Sequence, residues 1–465
     1  MTAAAVATPT PFRLGPAVSR RSPRVADALD DERAWAHARA WAARAVPDAT
    51  VEAVDVGEAL YRRDGGCSLR YRVHLARTGR EHILLVEVTP SGEDLVVRPF
   101  PADPALPTLR QALDPALMRE VLGRVVPGTG GDRAIGRCSV DVVRYPRQGR
   151  CVLRYRLSPG AGGAGELRHP VLFGKVYADG TASVAARALR LLAGGLRPLP
   201  DDGGVTIPRP LAVVPPLRLG LAEAIPGMPL LPRLIRSACS PDGPSGSDRR
   251  ALVAATTSAA RLAAGVHRCP LGAGPLPERD LAGERAAVER DLVLLDEVWP
   301  DVAAHLRHRL AAVLATLDVD RLTTGGRWPS TRVLAHGDFT PGQVLLDDTG
   351  NVGLVDVDTL CVAEPAADLG RFLAYLHVSG IRRSRTAEPL LTELAAHFLE
   401  AYVEAYVDDS GAPAGVTPQD LRPRVAAYRA LNLARLGASA CWQLKDDRLA
   451  AVIDAIDAIG AGNDG

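Results

Sequence analysis

The chain has 465 residues, 55 basic and 54 acidic side chains and a formal charge of +1, with 47% apolar and 23% charged residues. This is a globular composition, long enough for two or three cores, and it argues against a disordered chain or a generic nucleic-acid binder, whose domains are strongly basic. No stretch approaches 18 uninterrupted apolar residues, so no membrane span is expected, and the seven scattered cysteines lack a CxxC pair, which disfavours a disulfide framework or structural zinc and suggests a reducing cytoplasm.

Residues 1 to about 28 carry Arg13, Arg20, Arg21 and Arg24 and no acid before Asp27. The composition resembles a transit peptide, but it lacks an amphipathic period and reads as a disordered leader. A helix is expected from about Asp31 to Ala45, with acids in its first turn. An internal repeat follows. YRRDGGCSLRYR at 61–72 and YPRQGRCVLRYR at 145–156 match at eight of twelve positions at an offset of 84. Each copy reads as a turn, an alternating strand and an apolar strand (HILLVEV at 82–88, VLFGKVY at 171–177), hence a three-stranded antiparallel meander. Two copies are too few for a solenoid and point to duplication of one sheet module. Aligning VEV with GKV sets Glu87 against Lys175.

Lysine is rare here. Lys175 and Lys445 are the only two, and the remaining 53 of the 55 basic residues are arginine; Asn351, Asn432 and Asn463 are the only asparagines. A lysine kept against such a bias asks what a compact ammonium does that a planar fork cannot. Lys445 lies in a polar patch with Asp446, Asp447 and Arg448, where arginine would serve; Lys175 stands alone in the first 444 residues.

After copy two, 181–193 is a short helical stretch, VTIPRPLAVV and LRLGLAEAIPG read as strands, and Pro226–Pro229 punctuates a crossing. Helical periodicity then dominates at 247–268, 279–296, 301–317 and 388–406. The chain is β-rich first and helix-rich second, an α+β arrangement of two lobes. Between the helices, residues 333–376 give an apolar strand to Ala335 and a polar turn with His336 and Asp338. A strand, a turn at Asp347–Asn351, a strand ending at Asp356 and a helix opening near Asp368 complete the segment. Asp338 and Asp356 thus sit at strand ends separated by one hairpin, close in space. Two carboxylates converging with the Gln343 amide suit a hard divalent cation such as Mg²⁺.

HGDFTPGQ at 336–343, then Asp356, then Glu364, Pro365, Asp368 and Leu369, resembles the aminoglycoside phosphotransferase and choline kinase group, which shares the protein-kinase-like fold. The resemblance covers 135–465 and implies a phosphotransferase using ATP or GTP and Mg²⁺ on a small-molecule hydroxyl. It implies that Asp338 is the catalytic base, that His336 braces its loop and that Gln343 and Asp356 bind metal. It further implies that Asp368 ties down the loop and caps the next helix, and that Lys175 holds phosphates under the turn Arg147–Arg150 with Gly149 and Arg150. Glu223 and Ile225 of LAEAI resemble the hinge that holds the nucleotide base. With the leader (1–30) and the duplicated meander module (31–130) read from the residues, the resemblance implies a nucleotide-binding lobe (131–230) and a helical lobe with the catalytic and metal loops (231–465).

Three departures stand beside the resemblance. Gln343 replaces the group's usual Asn, 181–193 holds no Glu or Asp to pair with Lys175, and the glycine turn has one Gly. They motivate an alternative, a non-catalytic nucleotide-binding scaffold. The expected partner is a small-molecule hydroxyl acceptor, with no nucleic acid and no membrane. From Gly380 to Gly465 there are 12 acidic and 9 basic residues, a net of −3 compatible with a cationic acceptor. A sugar, an aminoglycoside, a macrolide, an amino alcohol or an amino-acid-like compound fits the reading.

Overall fold

The computed structural model describes residues 14–76, 81–90, 94–126, 135–145, 149–160, 167–196, 204–238, 245–272, 275–317, 332–407 and 418–461. It opens with helices where the sequence reading placed a leader. α1 (Leu14–Arg21) and α2 (Pro23–Leu29) bury Leu14, Val18, Val25 and Ala28. The Arg-rich composition hid this because each helix buries only two residues and shows its arginines to solvent.

α3 (Asp31–Ala45) starts at Asp30, whose carboxylate accepts the Arg33 N–H at 3.0 Å, relieving one unpaired donor of the first turn. β1 (Val51–Tyr61), β2 (Cys67–Leu75), β3 (Glu81–Val88) and β4 (Leu95–Pro99) form an antiparallel sheet in that order. Strict alternation builds β2: Cys67, Leu69, Tyr71, Val73 and Leu75 are buried, while the intervening residues face outward.

The second copy repeats more than the meander. α4 (Leu109–Ala112) and α5 (Pro115–Val125) precede β5 (Ile135–Arg144), β6 (Arg150–Pro159) and β7 (Val171–Tyr177). Asp114 caps α5 by accepting from Ala116 and Leu117, as Asp30 caps α3. Tyr71 Oη donates to the Ala28 carbonyl at 2.7 Å, and Tyr155 Oη to the Ala112 carbonyl at 2.9 Å. Each of these counterparts is displaced by 84 positions. Glu87 pairs in register with Ser68 and Lys175 with Val152, the counterpart of Ser68, so Glu87 and Lys175 hold the same place. Copy two then inserts α6 (Ala182–Gly195), β8 (Val205–Thr206) and β9 (Pro210–Val214) before β10 (Leu219–Glu223), giving the sheet order β5-β6-β7-β10-β9.

β11 (Met228–Pro229) and α7 (Leu230–Ala238) lead into the helical lobe: α8 (Gly246–His267), α9 (Leu281–Asp296), α10 (Pro300–Thr316), α11 (Pro365–Ile381), α12 (Glu388–Val407), α13 (Pro418–Trp442) and α14 (Asp446–Ala461). Gly370 lets α11 press on α13: a Cβ there would lie 2.7 Å from the Arg429 nitrogen. Short strands interrupt these helices. β12 (Val333–Ala335) pairs with β15 (Cys361–Ala363), and β13 (Val344–Leu346) with β14 (Val352–Leu354).

The cores divide unexpectedly. The second sheet, with α4 and α5, has its own apolar cluster, whereas the first module shares one cluster with the helical lobe. Tyr61 explains the fusion. It is 1% exposed and its ring lies 5.9 Å from Trp299 and 6.4 Å from Trp442. Trp299 Nε1 donates to the Leu14 carbonyl at 3.1 Å, and Arg63 pairs with Glu297. No helix among the described residues is long and apolar enough to cross a membrane. Six cysteines are buried and form no disulfide among the described residues; Cys239 lies outside the described residues.

Candidate active site

β12 is wholly buried and delivers the chain at His336. Three groups hold the next turn. Asp368, in the first turn of α11, accepts the His336 N–H at 2.7 Å and the Gly337 N–H at 2.9 Å. Gly337 has φ +76°, and a Cβ there would meet the Thr359 carbonyl oxygen at 2.3 Å, so only glycine fits. His336 Nδ1 accepts the Asp338 N–H at 3.2 Å, which assigns the proton to Nε2, donating to the Val355 carbonyl at 3.0 Å. Both ring nitrogens are thus spent on bracing, and His336 has none left to react. Asp368 does not cap α11, contrary to expectation; Glu364 holds the N-cap position without a side-chain bond. Asp368 ties the loop instead, and His267 Nε2 lies 3.2 Å from it with Tyr402 Oη on the other ring nitrogen. Burial works to raise the Asp368 carboxyl, but His267, His336 and these hydrogen bonds outweigh it and keep it below the usual carboxylate range.

The loop presents Asp338 beside Gln343 and Asp356. Gln343 Nε2 lies 3.4 Å from Asp338 Oδ2 and 3.1 Å from Asp356 Oδ2, so one amide bridges the two carboxylates. Asp356 sits in the left-handed region, φ 63° and ψ 46°, a conformation an aspartate tolerates and a branched residue does not. From the sheet above, Lys175 Nζ reaches Asp356 Oδ1 at 2.5 Å and also bonds Asp358. Arg150 stands 3.6 Å from Asp356 and 3.9 Å from Asp358, and Tyr177 Oη donates to Asp358 at 3.2 Å. Lys175, Asp356 and Asp358 side chains are only 14–16% exposed. Partly buried charges need partners, and here two cations meet two anions. Burial pushes the Asp356 carboxyl upward, yet Lys175 and Arg150 hold it below the ordinary range. Burial and Asp358 push the Tyr177 hydroxyl up, so it stays a neutral donor.

These contacts answer the missing acid of α6: Lys175 takes its carboxylates from Asp356 and Asp358, across the lobe boundary. Gly149 has φ +67° at the turn entering β6, and Gly65, its counterpart, has φ +82°. Arg147 lies outside the described residues. Glu223 ends β10 with its N–H bonded to the Arg209 carbonyl, and Ile225, half-buried, faces Gly353 of β14. Glu223 and Ile225 share no contact with Asp338.

Sequence reasoning missed Arg371 and Asn432. Arg371 Nε and Nη2 bond Asp338 Oδ1 at 2.8 and 2.7 Å, and its Nη1 donates to Asn432 Oδ1 at 3.1 Å. Asn432 is in turn anchored by donating to the Tyr428 carbonyl. Both carried a signal. Arg371 lies one helical turn beyond Asp368, and Asn432 is one of three asparagines, selected by the same scarcity that singles out Lys175.

A strand-borne lysine, a loop aspartate and a second aspartate after a hairpin, split between a sheet lobe and a helical lobe, make a kinase-like arrangement. Residues 172–416 match the family model described as phosphotransferase enzyme family, and the chain belongs to that family. Among solved structures, choline kinase from Cryptosporidium parvum Iowa II is similar at 12% identity and a TM-score of 0.51, over 75% of this chain and 95% of that one. A macrolide 2'-phosphotransferase from Brachybacterium faecium is similar at 19% identity and a TM-score of 0.41, over 68% and 91%. An ethanolamine kinase from Plasmodium vivax is similar at 11% and 0.44, over 74% and 87%. No curated protein matches the chain. The fold is the two-lobed kinase-like one expected, and by family the protein is a phosphotransferase.

Proposed function

We propose that the protein transfers the γ-phosphoryl group of ATP or GTP to a hydroxyl of a small molecule, with Mg²⁺. The observation that carries this is the convergence of Lys175, Asp356, Gln343 and Asp338 through contacts of 2.5, 3.1 and 3.4 Å. Phosphoryl transfer asks the protein mainly for positioning and charge stabilisation. Lys175 and Arg150 supply positive charge beneath the Gly149 turn, where the nucleotide phosphates would lie. The hinge at Glu223 and Ile225 would hold the base. Asp338 accepts or orients the proton of the acceptor hydroxyl as the acceptor oxygen attacks phosphorus in line and the bridging P–O bond to the diphosphate breaks. Arg371 fixes one Asp338 oxygen, leaving the other toward Gln343.

The donor set fits Mg²⁺: two carboxylates and an amide whose oxygen and nitrogen can exchange places. Asp356 and Gln343 would hold the ion. Among the described residues no group of three or more His, Cys, Asp or Glu could hold a metal, which suits an ion completed by substrate phosphates. When bound, Mg²⁺ would neutralise developing charge on the phosphates. The scaffold alternative rested partly on a lysine without a carboxylate, and the contacts to Asp356 and Asp358 remove that ground. The test is nucleotide consumption and product formation across a panel of hydroxyl compounds, with Asp338→Asn as the blank. Wild type that neither binds nor consumes nucleotide with any acceptor rejects the reading.

A further inference from the structure

α11 turns one stripe outward beyond the site. Arg371 and Tyr375 are half-buried and Arg382 is exposed. Eleven residues separate Arg371 from Arg382, about 16 Å along the axis. At one end Arg371 grips Asp338, and its guanidinium carbon lies 5.7 Å over the Tyr375 ring. Tyr375 neighbours Arg448 of α14. At the other end Arg382 bonds Asp447 at 2.6 Å. Lys445, just before α14, is half-buried within the field of Arg448 and Arg382, and across from it stands Glu58 of β1, ion-paired to Arg70.

The charge count is lopsided. Four cations, Arg371, Arg382, Lys445 and Arg448, hold two carboxylates in direct contact, Asp338 and Asp447. Among the described residues no carboxylate lies within 4.0 Å of a Lys445 or Arg448 nitrogen. The segment's net charge of −3 concealed this, because most of its acids lie elsewhere on the helices. Burial and the neighbouring cations press both Lys445 and Arg448 below their ordinary basicity. Partly buried cations with no carboxylate in direct contact among the described residues are costly, and a ligand anion seated between them would relieve that cost. Lys445 is also the second of the two lysines, and it sits at this strip.

We propose that the strip from Arg371 to Lys445 and Arg448 anchors the acceptor, and that the acceptor is a small hydroxyl compound bearing a phosphate or carboxylate group. The inference rests on the reading of Asp338 as the catalytic aspartate. The reacting hydroxyl lies at Asp338, and the anion lies further along α11 between Lys445 and Arg448. Guanidinium forks and a mobile ammonium suit either anion. Glu58 of the first module stands across from Lys445, but its charge is already met by the ion pair to Arg70.

Binding without nucleotide separates this from failure of phosphoryl transfer. Calorimetry on the full chain should compare glucose 6-phosphate with glucose, and gluconate with sorbitol. The anionic member of at least one pair should bind about tenfold tighter or more, the loss expected for one charge-assisted hydrogen bond. The pair that responds identifies phosphate or carboxylate. Lys445→Met and Arg448→Gln should each reduce the preference about tenfold, and Lys445→Arg should retain it. Two variants guard against one that fails to fold. Equal affinities within both pairs, or a preference unchanged in both charge-removing variants, would overturn the proposal.

Discussion

Lys175 and Asp356 are 181 residues apart in sequence and 2.5 Å apart in space. The ammonium serves Asp356 and Asp358 at once while Arg150 fills the flank, and a guanidinium is larger and planar. Lys175→Arg should therefore cost about 100-fold in kcat/KM with an unchanged unfolding midpoint; full activity would reduce the lysine to an accident of composition. A second residue controls acid stability. His377 donates Nδ1–H to the Leu373 carbonyl at 3.1 Å, and burial, with Arg429 nearby, pushes it down to about 3. The fold excludes a proton that the unfolded chain takes up near 6.5. Stability is complete above that pH and declines as pH falls towards 3, by up to about 1.4 kcal/mol per unit. The depressed carboxyls of Asp356 and Asp368 add losses only below about pH 4. Urea unfolding at pH 7 and pH 5 should show His377→Gln losing less than wild type, by about 1–2 kcal/mol; equal losses would contradict the assignment. Motif residues were legible in sequence because each sits at a strand end set by local pattern. Arg371 and Asn432 carried only weaker signals, helical spacing and scarcity, which name no partner; helix packing is what brings them to Asp338.

At the scale of elements, the duplication governs. The ungapped match at 61–72 and 145–156 showed the meanders, but the helices before them share a capping aspartate and little else, so their membership is visible only in space. The two copies use the same turn tyrosine differently. Tyr145 takes the Phe100 ring at 5.1 Å and, through its carbonyl, Arg70 of the first copy at 2.6 Å. Tyr61 instead plugs the helical lobe between Trp299 and Trp442. Tyr61→Ala should therefore destabilise the helical lobe and first module together, by about 3–5 kcal/mol, in a single denaturation step. Two separated steps would show that the module folds independently of the lobe. Glu87, at the counterpart of Lys175, pairs with Arg98 at 3.2 Å within its own sheet, where Lys175 instead reaches Asp356 and Asp358 across the lobe boundary.

Across the whole molecule, the first module joins the helical lobe's core at Tyr61 and touches the glycine turn's approach at Tyr145, so the two lobes are linked there as well as at the hinge. The order of β-rich and helix-rich segments was legible from periodicity. The partition of cores was not, since it depends on which apolar faces meet. The proposed transfer chemistry centres on Asp338, held by Arg371 at 2.7 Å and facing Gln343 and the Lys175–Asp356 pair. The direct measurement is phosphoryl transfer from ATP or GTP with Mg²⁺ to a hydroxyl acceptor, followed by ³¹P resonance in wild type and Asp338→Asn. Wild type should form a phosphate ester and the variant should be slower by about a thousandfold while still binding nucleotide; an Asp338→Asn enzyme that turns over at the wild-type rate would contradict the account.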